Sequence, residues 1–363
     1  MRVLRINHSA VVSAWRQRER ELQALGVDVE LLSASKWEEG GGTVALEPDG
    51  DDFVVGARTL GRHPNLFLFD PRPLWRLLGD RSFDVIDVHE EPFSLAMAEV
   101  LLIRAARRNR TPYVVYSAQN LDKDYPVPFS AIEHRSLRGA AGAQVCNEAA
   151  GRRLRRRGLR GELALLALGV DLDQFAPEDR MPPSGGLRVG YVGRLALHKG
   201  ILDLLEAVAP VDGWTLEMVG DGPDRGRLLQ QADELGMGDR LLLRGHADQA
   251  ALAAYYRGFD VLAVPSIPTP RWTEQFGRVA VEAMASGVPV VTSDAGALPE
   301  VVGLAGLVVG AGDVAALRGA LQSLADDPGQ WAALRSAGLA RAGQYTWASV
   351  ARNQLDLYQR VVP

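Results

Sequence analysis

One cysteine, Cys146, stands in 363 residues, so no disulfide can form within the chain and a reducing compartment fits. The opening stretch MRVLRINHSAVVSAW lacks the apolar core of an export signal. No stretch reaches the roughly 18 uninterrupted apolar residues of a membrane-spanning helix. Excess positive charge is missing too. The net charge is −5, which argues against nucleic acid as the main partner. No paired aspartates sit in a metal-binding type of loop, since Asp51-Asp52 and Asp326-Asp327 fall in polar linkers. These absences lead to the expectation of a soluble, cytoplasmic protein with no bound metal and no cofactor. A peripheral contact with the inner face of a membrane stays open.

What is present is an ordinary globular composition, 47% hydrophobic and 23% charged, in a chain long enough for two domains. Short apolar runs alternate with amphipathic ones. Strand-like runs in the first half are residues 1–6, 27–34, 83–90, 112–119, 143–147 and 163–169. Helix-like segments such as 13–26 and 92–109 fall between them. This alternation is the mark of βαβ units around a parallel sheet. The segment DQFAPEDRMPPSGG (173–186) interrupts it with prolines, acids and a glycine pair, and reads as a linker. The alternation restarts at 187–195 and continues through 214–222, 240–246, 259–266, 289–294 and 306–313. The expected fold is α/β, two Rossmann-like doubly wound domains facing across a cleft, over residues 1–170 and 171–345. In such sheets ligands bind outside the carboxyl ends of the strands.

Three stretches of the second half carry residues suited to an anionic ligand. In GYVGRLALHKG (190–200), Gly193 lets backbone approach a ligand, while Arg194 and Lys199 offer a fork and a point charge for a diphosphate. The plainer reading is a turn flanked by solvated charges. EMVGDGP (217–223) reads as a tight strand-to-helix turn, with Asp221 near the helix start and Pro223 at its first position. In RWTEQFGRVAVEAMASG (271–287) a helix is expected to start at Gly277. The free N–H groups of Gly277, Arg278 and Val279 then form an anion site. Glu274 precedes that start and Glu282 lies more than one turn inside it. Two carboxylates so placed suit the vicinal hydroxyls of sugars. The plainer readings are a helix-surface Glu282 and a Glu274 favoured by the helix dipole.

Here the sequence resembles a known family. EQFGRVAVEAMASGVPVVTS is similar to the E-x7-E signature of the retaining glycosyltransferases of family 4, which have the GT-B fold. VGRLALHKGILDLLEA and VGDGP resemble two further segments of that family, in the same order. The resemblance is good over about 165–345 and looser before it. It implies a metal-independent hexosyltransferase that moves a sugar from a nucleotide-diphosphate sugar to a hydroxyl acceptor. UDP is the expected nucleotide, with GDP and TDP as alternatives. Arg194, Lys199 and the backbone of Phe276, Gly277, Arg278 and Val279 would hold the diphosphate. Glu274 would bond the sugar hydroxyls and Glu282 the ribose, while Gly245 and His246 would lie along the base. His89, at the end of a strand, would face the donor sugar; the plainer reading is a histidine satisfied by backbone. The last stretch, 346–363, would form a helix that crosses back onto the first, acceptor-side domain. The second domain would bind the donor.

Other expectations concern the acceptor, which is a sugar, lipid or aglycone in glycan, glycolipid, exopolysaccharide or natural-product assembly. Gln119 and Asn120 are candidates to line its site, or else belong to a polar loop. Many relatives carry a glycine pair after the first strand, near the donor phosphate. This chain has INHSAVVSAWRQRERE there, and Arg16 is the candidate substitute as a phosphate or acceptor contact. GRRLRRRGLR (151–160) reads as a solvated helix face, or as a surface for an anionic membrane or phosphorylated acceptor. The resemblance further implies retention of anomeric configuration, by a same-face substitution in which the departing phosphate helps deprotonate the acceptor. Two rival classes are a GT-B nucleotide-sugar epimerase and a non-catalytic sugar-binding protein.

Overall fold

Two all-parallel sheets form from the alternating runs in the computed structural model, which describes residues 1–39, 42–47 and 50–362. Contacts divide the chain into one unit of Met1–Gly169 with Trp347–Pro363 and a second of Val170–Thr346. The first unit's strands are β1 (Arg2–Ile6), β2 (Asp28–Ala34), β3 (Val54–Ala57), β4 (Val85–Val88), β5 (Tyr113–Ser117), β6 (Gly142–Val145) and β7 (Glu162–Leu165). They lie in the order β7-β6-β5-β4-β1-β2-β3. Both faces are covered, so the inner strands are buried along their length and carry few polar residues. Helices α1 (Gln17–Ala24), α2 (Leu95–Ala106) and α3 (Glu148–Arg156) belong to the crossovers. Ser94 and Asn147 start α2 and α3 by accepting the N–H of Met97 and Ala150. Two small antiparallel pairs, Lys36–Glu39 with Gly42–Ala45 and Thr59–Leu60 with Leu68–Phe69, and the edge strand β3 are additions to the sequence reading. They are four residues or fewer and mostly not buried, so they carry too short a hydrophobic period to be read.

The second unit repeats the plan. Its strands are β8 (Leu187–Val192), β9 (Trp214–Val219), β10 (Leu241–Leu243), β11 (Val261–Val264), β12 (Val290–Ser293) and β13 (Gly306–Val309), ordered β10-β9-β8-β11-β12-β13. Helices α4 (Arg225–Glu234), α5 (Gln249–Gly258) and α6 (Arg278–Ala285) follow β9, β10 and β11. In each unit the strand order reverses beside the first strand, between β1 and β4 and between β8 and β11. Crevices for ligands open at such switch points, at the carboxyl ends of the strands.

The final helix, α7 (Trp347–Val361), packs in the first unit against α1 and β7. Its apolar positions Ala351, Leu357 and Val361 join a core with Val3, Leu22 and Val114. A Cβ on Gly169 would lie 2.1 Å from the Trp347 ring, so the last residue before the second unit must be small. In the middle of this interface sits a polar layer. The Asp87 carboxylate, on β4, accepts from Gln144 Nε2 at 2.6 Å, from Gln354 Nε2 at 2.5 Å, and from Tyr358 and Arg5. Arg5 also donates to Glu19 on α1 at 2.6 Å. Every member is at most 1% exposed. Removing one partner of a buried pair strands the other. Asp87→Ala is therefore expected to lower the unfolding free energy by about 3–5 kcal/mol, read by denaturant titration, and an effect below about 1 kcal/mol would refute a structural role for this layer.

Candidate functional site

In the second unit the turns after β8, β9 and β10 are joined backbone to backbone. Gly193 N–H donates to Val219 O at 3.0 Å, and Gly220 N–H to Gly245 O at 2.6 Å. Gly193 and Gly220 have φ of 148° and 139°, and a Cβ on Gly220 would lie 2.0 Å from Gly193 O. Only glycine permits that approach. Leu195 is held by Asp221 O at 3.0 Å, and Leu197 N–H donates to the Asp224 carboxylate at 2.9 Å. Helix α4 begins at Arg225, so Pro223 belongs to the turn and does not open the helix; Asp221 bonds Gly222 N–H inside the turn.

This framework presents the segment 194–199 at the switch point. Arg194 is exposed, and Lys199 Nζ lies 2.8 Å from Glu274 Oε2. Ser266, just past β11, donates to the same oxygen at 3.0 Å. Trp272 backs the pair, with Lys199 Nζ 4.4 Å from its ring centroid and the His198 ring edge-on at 4.4 Å. The His198 pKa falls below its ordinary value through burial and then the charges of Lys199 and Arg194. Positive potential is thus concentrated here, with Glu274 in direct contact. The Glu274 backbone is fixed in turn by Ala297 N–H at 3.0 Å.

Gly277 has φ 88° and ends the loop before α6. A Cβ there would lie 2.4 Å from Leu298 Cδ2. No side chain caps α6, whose first-turn N–H groups, those of Arg278 and Val279 among them, have no acceptor within the helix. Phe276 is buried, edge-on to Tyr345 at 5.7 Å. Glu282 is only 4% exposed, so the plainer reading of a helix-surface glutamate does not hold. Its Oε2 accepts from Tyr256 at 2.8 Å and its Oε1 lies 3.2 Å from Arg278 Nε. Burial and then the Glu282 charge push the Tyr256 pKa well above 10.0. Gly245, with φ 69°, and the exposed His246 follow β10 in the third of the joined turns.

In the first unit His89 follows β4, and its N–H donates to Ile6 O at 2.8 Å, tying the two strands at the switch point. The ring stacks on Tyr116 at 3.9 Å, and Nδ1 is buried without a hydrogen-bond partner. Burial first, then the charges of Arg18, Arg5 and His8, lower its pKa well below 6.5, so the imidazole is neutral at pH 7. It is not the backbone-satisfied histidine of the plainer reading. Nearby, His8 Nδ1 lies 2.7 Å from Glu90 Oε2.

Two expectations, for Arg16 and for Gln119, need correction. Arg16 is fully buried and bonds Asp51 at 2.7 Å, Glu47 O at 2.7 Å and Ala10 O at 3.3 Å, so its guanidinium braces the first loop and is closed to a ligand. The Gln119 amide is committed to its own loop, donating to Tyr125 at 3.2 Å and accepting from Leu121 at 3.0 Å; Asn120 lies half-buried beside it. The arginine run fits the solvated helix face, with most of its charges paired. Arg153 is buried against Glu133, Arg152 pairs with Glu148, and Arg156 and Arg157 pair with Asp122 and Asp124. Ser266, Tyr256 and Trp272 were missed as site members. Tyr256 sits on α5 and only folding brings it to Glu282, whereas Ser266 and Trp272 lie in the same loop as Glu274.

Residues 10–169 match the family model of the glycosyl transferase 4-like domain, and residues 186–327 that of glycosyl transferases group 1. The chain belongs to this glycosyltransferase family, and its two doubly wound units are those of the GT-B fold. It is 34% identical over 206 residues to a glycogen synthase of Mycobacterium tuberculosis, covering 54% of this chain and 48% of that protein. Over 218 residues it is 34% identical to a D-inositol 3-phosphate glycosyltransferase of Corynebacterium kroppenstedtii, covering 53% and 47%. The match thus spans about half the length of these curated relatives. HepE of Anabaena, solved in complex with UDP, superposes with a TM-score of 0.76 at 18% identity, over 98% of this chain and 99% of that one. The same protein is also solved with UDP-glucose. Among the described residues no helix is long and apolar enough to cross a membrane.

The neutral His89 makes stability depend on pH. Its folded pKa lies below the unfolded value, so as pH falls through 6.5 the unfolded chain binds the extra proton first and stability declines. Between about pH 7.5 and about pH 5.5 the unfolding free energy of the wild type is expected to fall further than that of His89→Gln. Equal slopes in denaturant titrations would contradict the neutral, buried imidazole.

Proposed function

We propose that the chain is a retaining glycosyltransferase that moves a sugar from a nucleotide-diphosphate sugar to a hydroxyl acceptor. The observation that carries this is the Lys199–Glu274 contact at the switch point of the second unit, beside the uncapped start of α6. A cation for phosphate, after β8, and a carboxylate for sugar hydroxyls, in the loop after β11, are there held together. In this reading Arg194, Lys199 and the backbone from Phe276 to Val279 bind the diphosphate and stabilise it as a leaving group. Glu274 bonds sugar hydroxyls, Glu282 the ribose, and the backbone at Gly245 and His246 lies along the base. The buried carboxylate of Glu282, bonded by Tyr256 and paired with Arg278, supports a ligand role, since it gains from further donors such as ribose hydroxyls. His89 orients the sugar as a neutral group. The departing phosphate helps deprotonate the acceptor, on the face it leaves.

UDP is the proposed nucleotide, in line with the HepE complexes, ahead of GDP and TDP. The acceptor belongs to glycan, glycolipid, exopolysaccharide or natural-product assembly, and the enzyme acts in the cytoplasm. Peripheral membrane contact is supported by Leu165, 49% exposed, and by Arg155, which bonds the backbone carbonyls of Leu159 and Gly161 instead of a carboxylate.

A thermal-shift panel with UDP, GDP, ADP and TDP, with and without EDTA, is the test. A true ligand at 100 times its Kd is expected to stabilise by about 2.7 kcal/mol. That shifts the midpoint by about 2–4 °C per kcal/mol. The shift should survive EDTA and be largely lost in Lys199→Ala and Glu282→Ala. No shift with any nucleotide would overturn the reading.

A further inference from the structure

Arg18, two positions beyond the expected Arg16, has a different environment. It is 5% exposed, and its Nη1 is buried with no hydrogen-bond partner. The other buried arginines of the first unit each have a carboxylate: Arg5 has Glu19 and Asp87, Arg16 has Asp51, and Arg153 has Glu133. Among the described residues Arg18 forms no such pair. The two acids whose charge reaches it, Glu19 and Asp87, are bonded to Arg5. Its guanidinium lies 5.8 Å from the Trp347 ring centroid, near the outer limit for a cation over an aromatic face.

A second unpartnered group lies at the same, carboxyl end of the first sheet. His89 Nδ1 is buried without a partner, and the Arg18 charge acts on it and on Tyr116, which stacks against the His89 ring. The three side chains come from α1, the end of β4 and β5, at the carboxyl end of the first sheet. Water can fill a missing hydrogen bond but supplies no negative charge. A desolvated guanidinium is stabilised most by an oxyanion, which its fork of N–H groups fits.

We propose that Arg18, beside His89, forms an oxyanion subsite in the first unit, which takes a phosphate or carboxylate carried by the acceptor. The assignment to the acceptor rests on the glycosyltransferase reading, in which Arg194 and Lys199 of the second unit hold the donor diphosphate. Phosphate and carboxylate share the required chemistry, and the probes separate them. Calorimetric titration of the full chain, with and without saturating UDP, compares glucose 6-phosphate, glucuronate and glucose. The wild type is expected to bind one of the anionic sugars at least about ten-fold more tightly than glucose. Arg18→Gln, checked for an intact fold by its melting curve, should lose that preference, and Arg18→Lys should keep part of it. Lys199→Ala should weaken UDP and leave the preference in place. The subsite is overturned if the wild type shows no preference for an anion, a result that needs no variant to fold, or if folded Arg18→Gln retains it. UDP binding without the preference would remove this subsite and leave the proposed function standing. The preference without nucleotide binding would do the reverse.

Discussion

Asp87 is the residue through which the first unit is completed. Its carboxylate gathers donors from β1, β6 and two turns of α7, in a layer closed to solvent. An apolar interface alone would let the last helix slide along the sheet at little loss. Gln354 and Tyr358, four residues apart on one face of α7, both reach Asp87 and fix one register. Through Arg5 the same carboxylate is linked to Glu19, which sets the orientation of α1 beneath Arg18. The position of a charged residue next to the candidate site thus depends on a hydrogen-bonded layer well inside the unit.

The second unit achieves rigidity by other means. Its site rests on glycines that let three strand-end turns touch through their backbones, at separations no side chain would allow. The result is a short segment that holds Arg194, His198 and Lys199 close enough to perturb one another. Their mutual repulsion is offset by Glu274, itself fixed by Ser266 and by the loop at Ala297. In the proposed function the same cations meet a diphosphate, so the site is already arranged for negative charge.

All the central strands of both sheets were legible in the sequence, because a buried parallel strand must be a nearly continuous apolar run. The linker was legible from its prolines and glycines, and the start of α6 from Gly277. Most of the second unit's site lies on two short segments, 193–199 and 274–282, so its residues could be named without a structure. The small hairpins and β3 escaped notice, since short exposed pairs leave no period to detect. Partnership was not legible either. Arg16 and Arg18 are alike in sequence, yet folding gives Asp51 to one and, among the described residues, no carboxylate to the other. Glu282 could be named as a ligand candidate from its segment, but not its partner Tyr256, 26 positions earlier, which holds it inside.

By itself, then, the order of residues determined the two doubly wound units, the turn glycines and the cation and carboxylate pairs carried on single segments. These depend on local sterics and on hydrophobic period, which act over a few residues. Tertiary structure alone decided which charges are neutralised, which are buried without a partner, and that the final helix completes the first sheet. Such outcomes depend on desolvation and hydrogen bonding between residues up to 353 positions apart, as between Arg5 and Tyr358.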